Sequence, residues 1–341
     1  MLSPDTTPSA RGFVMPAEWE PHAGCLMQWP SRPDLWHERL AASKREYAGV
    51  ARAIARFEPV LMVCNPGHAD EVASMCGTGV NPIELPLNDS WARDSGPIFV
   101  RDGDRFAVSG FRFNAWGNRW HPHDDDAALG HRLANLLGIE WIEVPIVLEG
   151  GSFFVDGQGT VITTEQCLLN PNRNPELTRD EIDAVLRAFL GASHVVWIPF
   201  GHSTDTGPTG TDGHVDGVLQ YVGPGRVMLE MVNDDSSPEF ERGQANLAAL
   251  RAARDAAGRA FTIEILDPGT DAEVSFANHY LANGAAIVPV AGARGEDRAL
   301  ARLAEIYPDR EIVPVPASTI ASGGGGPHCI TQQIPEGIGT P

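Results

Sequence analysis

The chain has 341 residues, 43% of them hydrophobic, so it can bury a substantial core without disulfide staples. Its formal charge of -20 argues against nucleic acid, because a polyphosphate would add repulsion, and favours a small cationic ligand. Five scattered cysteines without a C-x-x-C pair, no basic-then-apolar leader and no long apolar run argue against a disulfide framework, export and membrane spanning, so a cytoplasmic protein is expected.

Residues 1–14, rich in Ser, Thr and Pro, read as a disordered tail, and residues 15–341 as a single catalytic domain. Along that domain one order of elements recurs: an amphipathic helix, an apolar strand, a polar or Gly-containing segment and another apolar strand. In the first pass a helix over 43–56 and a strand over 60–63 lead to LPLNDSWARDSGPIFV, with Asp94 just before an apolar run. The second passes through 127–137 and 141–144 to a hairpin headed by Glu149 and turned by DGQG. The third passes through 179–190 and 194–198 to a strand pair turned by GPG, with His214 and Asp216 at its head. The fourth passes through 240–257 and 261–266 to SFANHYLANGAAIVPV, and the fifth through 297–306 and 311–315 to GGGGPHCITQQIP, where Cys329 takes the corresponding place. That last hairpin lacks a second strand, which the early segment AGCLMQWP could supply, closing a ring.

A unit of roughly 55 to 65 residues that cannot bury its own apolar face packs on its neighbours, and radial packing would gather equivalent strand starts near an axis. Asp94, Glu149, His214, Asp216 and Cys329 would then meet. The same periodicity also suits an ordinary mixed α/β sheet, in which these are turn residues.

Cys329 follows a glycine run whose backbone can approach a ligand closely, unlike Cys25, Cys64, Cys76 and Cys167, which read as packing residues. His328 would point away from Cys329 in an extended segment, whereas His214 and Asp216 would share one face of a strand. Two carboxylates can clamp the edges of a planar guanidinium while a thiolate attacks its central carbon. No lysine or arginine is required to complete such a site. A metal site is not expected, since one soft and several hard ligands come from separate segments without zinc spacing. The run HPHDDD precedes a helix, where its acids suit the N-terminus.

Eight segments, MPAEWEPH, NDSWARDSGP, FNAWGN, LEGGSFFVDGQGT, CLLNPNRNP, GHVDG, ANHYLANGAAIVP and GGGGPHCITQQIP, together resemble the agmatine deiminases from about Met15 to Pro335. The resemblance implies a five-bladed, pseudo-fivefold α/β propeller of the pentein fold and hydrolysis of agmatine without a cofactor. It implies Cys329 as nucleophile, His214 as general acid and base, and Glu149 as the acid that orients the bound group and assists the histidine. Asp94 and Asp216 would hold the guanidinium, Trp91 would cover it, and the resemblance extends to a homodimer. Two other readings stand beside it. One is a deiminase or amidinotransferase for arginine, peptidyl-arginine or a specialised guanidino metabolite; the other is an inactive guanidine-binding protein.

Overall fold

The computed structural model describes residues 6–340. Local sequence accounts for the recurring elements. In the helix Arg179–Leu190 the Thr178 side chain accepts from the Glu181 N–H, and the Glu181 side chain accepts from the Thr178 N–H. Gly191 ends that helix in a left-handed conformation, and Ile182, Leu186, Phe189 and Leu190 bury one stripe between them. In the hairpin that follows Glu149, Asp156 accepts from the N–H groups of Gln158 and Thr160, both at 2.8 Å, which fixes the turn.

The fold is α/β, and among the described residues its strands form five small sheets. Four share one plan, an antiparallel hairpin that receives a parallel strand on its second member after a helix. Ile98–Asp102 and Arg105–Arg112 receive Glu140–Val147, while Phe153–Val155 and Thr160–Thr164 receive His194–Ile198. Leu219–Gly223 and Arg226–Glu230 receive Thr262–Leu266, while Tyr280–Ala282 and Ala285–Val290 receive Glu311–Pro316. The fifth sheet joins both ends of the chain. Thr331–Pro335 pairs antiparallel with His22–Gln28, beside which Val60–Cys64 and then Val80–Glu84 lie parallel. The pairing expected for AGCLMQWP is present.

The expected tail is corrected in part. Residues 1–5 lie outside the described residues, but Ser9–Arg11 form a 3-10 turn and Val14 bridges to Arg101. Order begins ahead of Met15 because the buried Phe13 packs with Met15, Ile98 and Leu190. The acids of HPHDDD do lie in the first turn of a helix, Asp124–Leu136. Among the described residues no helix is long and apolar enough to cross a membrane.

A buried polar knot fixes the first strand to the fourth hairpin. Glu58 accepts from the Tyr280 hydroxyl at 2.6 Å and from the Asn283 N–H at 2.7 Å, and lies 3.2 Å from Nδ1 of His22. Glu58→Ala leaves these groups facing apolar neighbours, so it should cost roughly 3 kcal/mol or more of stability, read from the urea unfolding midpoint. Glu58→Gln, which keeps an acceptor oxygen, should cost less.

Candidate active site

Each repeat places a short turn at the head of its hairpin, and those turns carry the functional side chains. Asp94 lies in the one-turn helix Ala92–Ser95, and Glu149 immediately precedes the 3-10 turn Gly150–Ser152. His214 precedes the 3-10 turn Val215–Gly217, which contains Asp216; these two residues therefore sit on a turn and not on a strand as expected. Strand geometry starts only at Leu219, because the chain must first bend to bring both side chains inward. In the fourth repeat the 3-10 turn Phe276–Asn278 delivers Asn278, which the sequence reading assigned no role. Cys329 occupies the turn before the last strand.

The five expected polar groups do converge, and Gly151 marks their meeting point. A Cβ built there would lie 2.6 Å from Nδ1 of His214 and 2.9 Å from carboxylate oxygens of both Asp94 and Asp216. His214 is 3.8 Å from Asp94 and 4.0 Å from Asp216 through Nδ1, and 3.6 Å from Glu149 through Nε2. Neither ring nitrogen has a hydrogen-bond partner, and Oε2 of Glu149 also lacks one. Such orphaned buried atoms are what a polar ligand would satisfy. Trp91 is buried, stacks on Trp36 and closes over Gly325, where a Cβ would meet both its ring and the Cys329 sulfur. The glycine run is therefore a close approach of backbone to the thiol, as its composition implies.

Each carboxylate is held from behind. Asp94 accepts from the Gly151 N–H and from Nε1 of Trp116, both at 2.9 Å. Trp116 reaches it from a left-handed backbone conformation, φ 54° and ψ 47°, which is uncommon for a bulky residue and typical of functional loops. Glu149 accepts from Nε of Arg173 at 2.7 Å, and Arg173 also holds Asp212 and the Thr211 carbonyl. Asp216 accepts from Nδ1 of His328 at 2.8 Å, while Nε2 of His328 lies 2.8 Å from Glu18, which in turn pairs with Arg93 at 3.0 Å. Two ionised carboxylates can only accept, so His328 donates from both nitrogens and is an imidazolium. The expectation that no arginine completes the site is thus corrected. Arg173 and Arg93 stand behind the acids because buried carboxylates require charged partners.

The electrostatics follow from this shell. Burial pushes the Asp94 carboxyl up to about 6, with Asp216 and Glu149 adding to the push and His214 opposing it. Burial acts on Glu149 in the same sense, but the Arg173 charge and His214 outweigh it and bring that group down to about 2. His214 is lowered by burial yet raised overall by Asp94, Cys167 and Glu149. The Cys329 thiol is pushed well up by burial and by the charges of Asp216 and Asp94. Asn278 Nδ2 lies 3.1 Å from its sulfur, while Asn278 Oδ1 accepts from the Cys329 N–H at 3.3 Å. Of the four cysteines read as packing, Cys167 alone lies in this cluster, within 4.8 Å of Glu149 and His214. All of the residues missed, Glu18, Trp116, Cys167, Arg173 and Asn278, lie in the motif segments MPAEWEPH, FNAWGN, CLLNPNRNP and ANHYLANGAAIVP. The signal for Asn278 was its place at the head of the fourth repeat.

Comparison with known proteins gives a consistent outcome. The family described as Porphyromonas-type peptidyl-arginine deiminase matches residues 14–335. The agmatine deiminases of Stutzerimonas stutzeri and Pseudomonas aeruginosa are each 38% identical to the chain, over 98% of it and 99% of their own lengths. An agmatine deiminase of Enterococcus faecalis, solved catalysing its reaction, superposes with a TM-score of 0.93 at 32% identity over 99% of both chains.

Two measurements test this geometry. Gly151→Ala should lower kcat/KM by at least about a hundredfold while leaving the circular dichroism spectrum unchanged, since its methyl occupies the space between His214, Asp94 and Asp216. Burial pushes the Glu18 carboxyl up, but His328, Arg93 and the Leu281 N–H outweigh it and hold that group well below its ordinary 4.5. The stabilisation is therefore present above about pH 4.5 and lost as the pH falls below it. Glu18→Gln should start from a lower melting temperature and lose less of it on acidification than the parent chain.

Proposed function

The chain belongs to the Porphyromonas-type peptidyl-arginine deiminase family, and from that membership we propose that it hydrolyses the guanidinium group of agmatine to N-carbamoylputrescine and ammonia. The observation that carries the reading is the convergence on Gly151 of two clamping acids and a histidine whose ring nitrogens make no hydrogen bond, with the Cys329 thiol 3.5 Å from Asp216. We read the five sheets as the blades of a pseudo-fivefold propeller, supported by the plan that four of them repeat and by the fifth, shared between the chain's ends.

Asp94 and Asp216 take the edges of the guanidinium, leaving its central carbon open to Cys329. A cation between these acids cancels the field that holds the thiol's proton; the thiol releases that proton to water in the cavity, and the thiolate that forms is held by Asn278. Its sulfur adds to the guanidinium carbon. His214 protonates one nitrogen, the C–N bond breaks and ammonia leaves a covalent amidino-thioether. His214 then takes a proton from water, whose oxygen adds to the same carbon. The C–S bond breaks, the sulfur takes back its electron pair and the hydroxyl proton of the intermediate to restore the thiol, and the ureido product departs. Glu149, fixed by Arg173, faces Nε2 of His214 and keeps that ring oriented.

The substrate tail would run into a cavity of about 550 Å³ that reaches outward from Cys329 and His214. Asp205, Glu239 and Glu273 line it as acids, Glu230 beside them is pushed up to about 8 by burial and adds little charge, and its Arg242 is engaged by the Gly201 carbonyl at 3.0 Å and by Gln166. Such a wall welcomes the terminal ammonium of agmatine and repels the free carboxylate of arginine. Peptidyl-arginine is the second reading, favoured by the family description but requiring room for a chain at the same wall. Five free thiols support a reducing, cytoplasmic setting.

Ammonia release should be measured with agmatine, arginine and an arginyl peptide, each against Cys329→Ala. Release from agmatine, lowered on the order of 10⁴-fold or more in the variant, is expected. Release from arginine or the peptide at a higher kcat/KM would replace the agmatine assignment.

A further inference from the structure

The mechanism above leaves a buried thiol beside the catalytic groups unused. Cys167 lies in the one-turn helix Glu165–Leu168, sealed from solvent. Its sulfur, a ring nitrogen of His214 and a carboxylate oxygen of Glu149 all lie within 4.8 Å of one another. The sulfur's own contact is a long one, 3.8 Å to the Thr211 carbonyl. Both ring nitrogens of His214 and Oε2 of Glu149 are buried and receive no hydrogen bond; Nε2 and Oε2 face each other as an ion pair at 3.6 Å.

We propose that Glu149, Cys167 and His214 form a binding site for a borderline-soft divalent transition-metal ion of the zinc class, and that its occupancy reversibly shuts the enzyme off. Thiolate, imidazole and carboxylate are the donors zinc takes, with bonds of roughly 2.0–2.3 Å, which put neighbouring donors around one tetrahedral ion somewhat under 4 Å apart. Magnesium and calcium, which take oxygen shells, do not suit a site with a sulfur. Charge favours a dication as well. Asp94, Asp216 and Glu149, together with the thiolate left when the entering metal displaces the Cys167 proton, outweigh Arg173 and the His328 imidazolium. Cys167, not the nucleophile, is the sulfur donor, because the Cys329 sulfur faces Asn278 and Asp216 instead. The ion would take the histidine nitrogen and carboxylate oxygen that catalysis needs, and it would repel a guanidinium, so inhibition is competitive with substrate.

Cobalt(II) is the probe, titrated into the full-length chain and into its Cys329→Ser, Cys167→Ser and Cys167→Ala variants, each checked for folding by circular dichroism. The parent and Cys329→Ser should develop a saturable thiolate-to-cobalt charge-transfer band that zinc displaces, and both Cys167 variants should lack it. This spectrum needs no substrate, so it is read whether or not agmatine is turned over. In the activity assay zinc should inhibit the parent competitively, and Cys167→Ser should raise its inhibition constant by at least about tenfold, the loss that even an outer-shell partner carries. A band that disappears with Cys329→Ser and survives in either Cys167 variant, or no saturable band in the parent, overturns the proposal.

Discussion

Asp94, Asp216 and Glu149 share one water-poor hollow, and each ionised carboxylate there carries a desolvation penalty of about several kcal/mol. The surrounding structure answers that cost from behind, with Trp116 and the Gly151 N–H on Asp94, His328 on Asp216 and Arg173 on Glu149. These donors fix one side of each acid and leave the front of the hollow negative. A guanidinium completes the arrangement. The ureido group that replaces it is neutral and cannot, so the field that draws the guanidinium in loses its hold on that end of the molecule once it is converted.

The second rank of charges is as specific as the first. His328 bridges Asp216 and Glu18, Glu18 pairs with Arg93, and Arg93 donates to Gln333 at 2.7 Å in the last strand. Asp216, the segment that carries Cys329 and the N-terminal segment are thereby joined in one buried chain of charged contacts. A shift in any one is resisted by the others, because each displacement would leave a desolvated charge unpaired. This is how loops at the heads of separate hairpins attain the precision of a site built on rigid elements.

Much of this was legible in the sequence because repetition carries positional information. Helix 179–190 and strand 194–198 appear at their expected bounds, since a capping box, a C-terminal glycine and an uninterrupted apolar strand all agree there. Equivalent positions in four repeats were enough to bring Asp94, Glu149, His214, Asp216 and Cys329 together. The outer shell was not legible. Arg173 and Glu18 look like ordinary surface charges until tertiary structure buries them, and the left-handed turn at Trp116 has no pattern a periodicity analysis can detect. Cys167 follows the same logic: its apolar neighbours describe its packing correctly and say nothing of the histidine on its other side.

The sheet that joins the two ends of the chain has a consequence for synthesis. Cys329 stands two residues before the strand that pairs with His22–Gln28, and its cage of Asn278, Asp216 and Trp91 comes from three earlier repeats. Pairing across so long a stretch of sequence carries a large loop-closure entropy and comes late in folding. A nascent chain on the ribosome therefore displays Asp94, Glu149, His214 and Asp216 before Cys329 has been made, and the pairing of Thr331–Pro335 with His22–Gln28 brings the thiol among them.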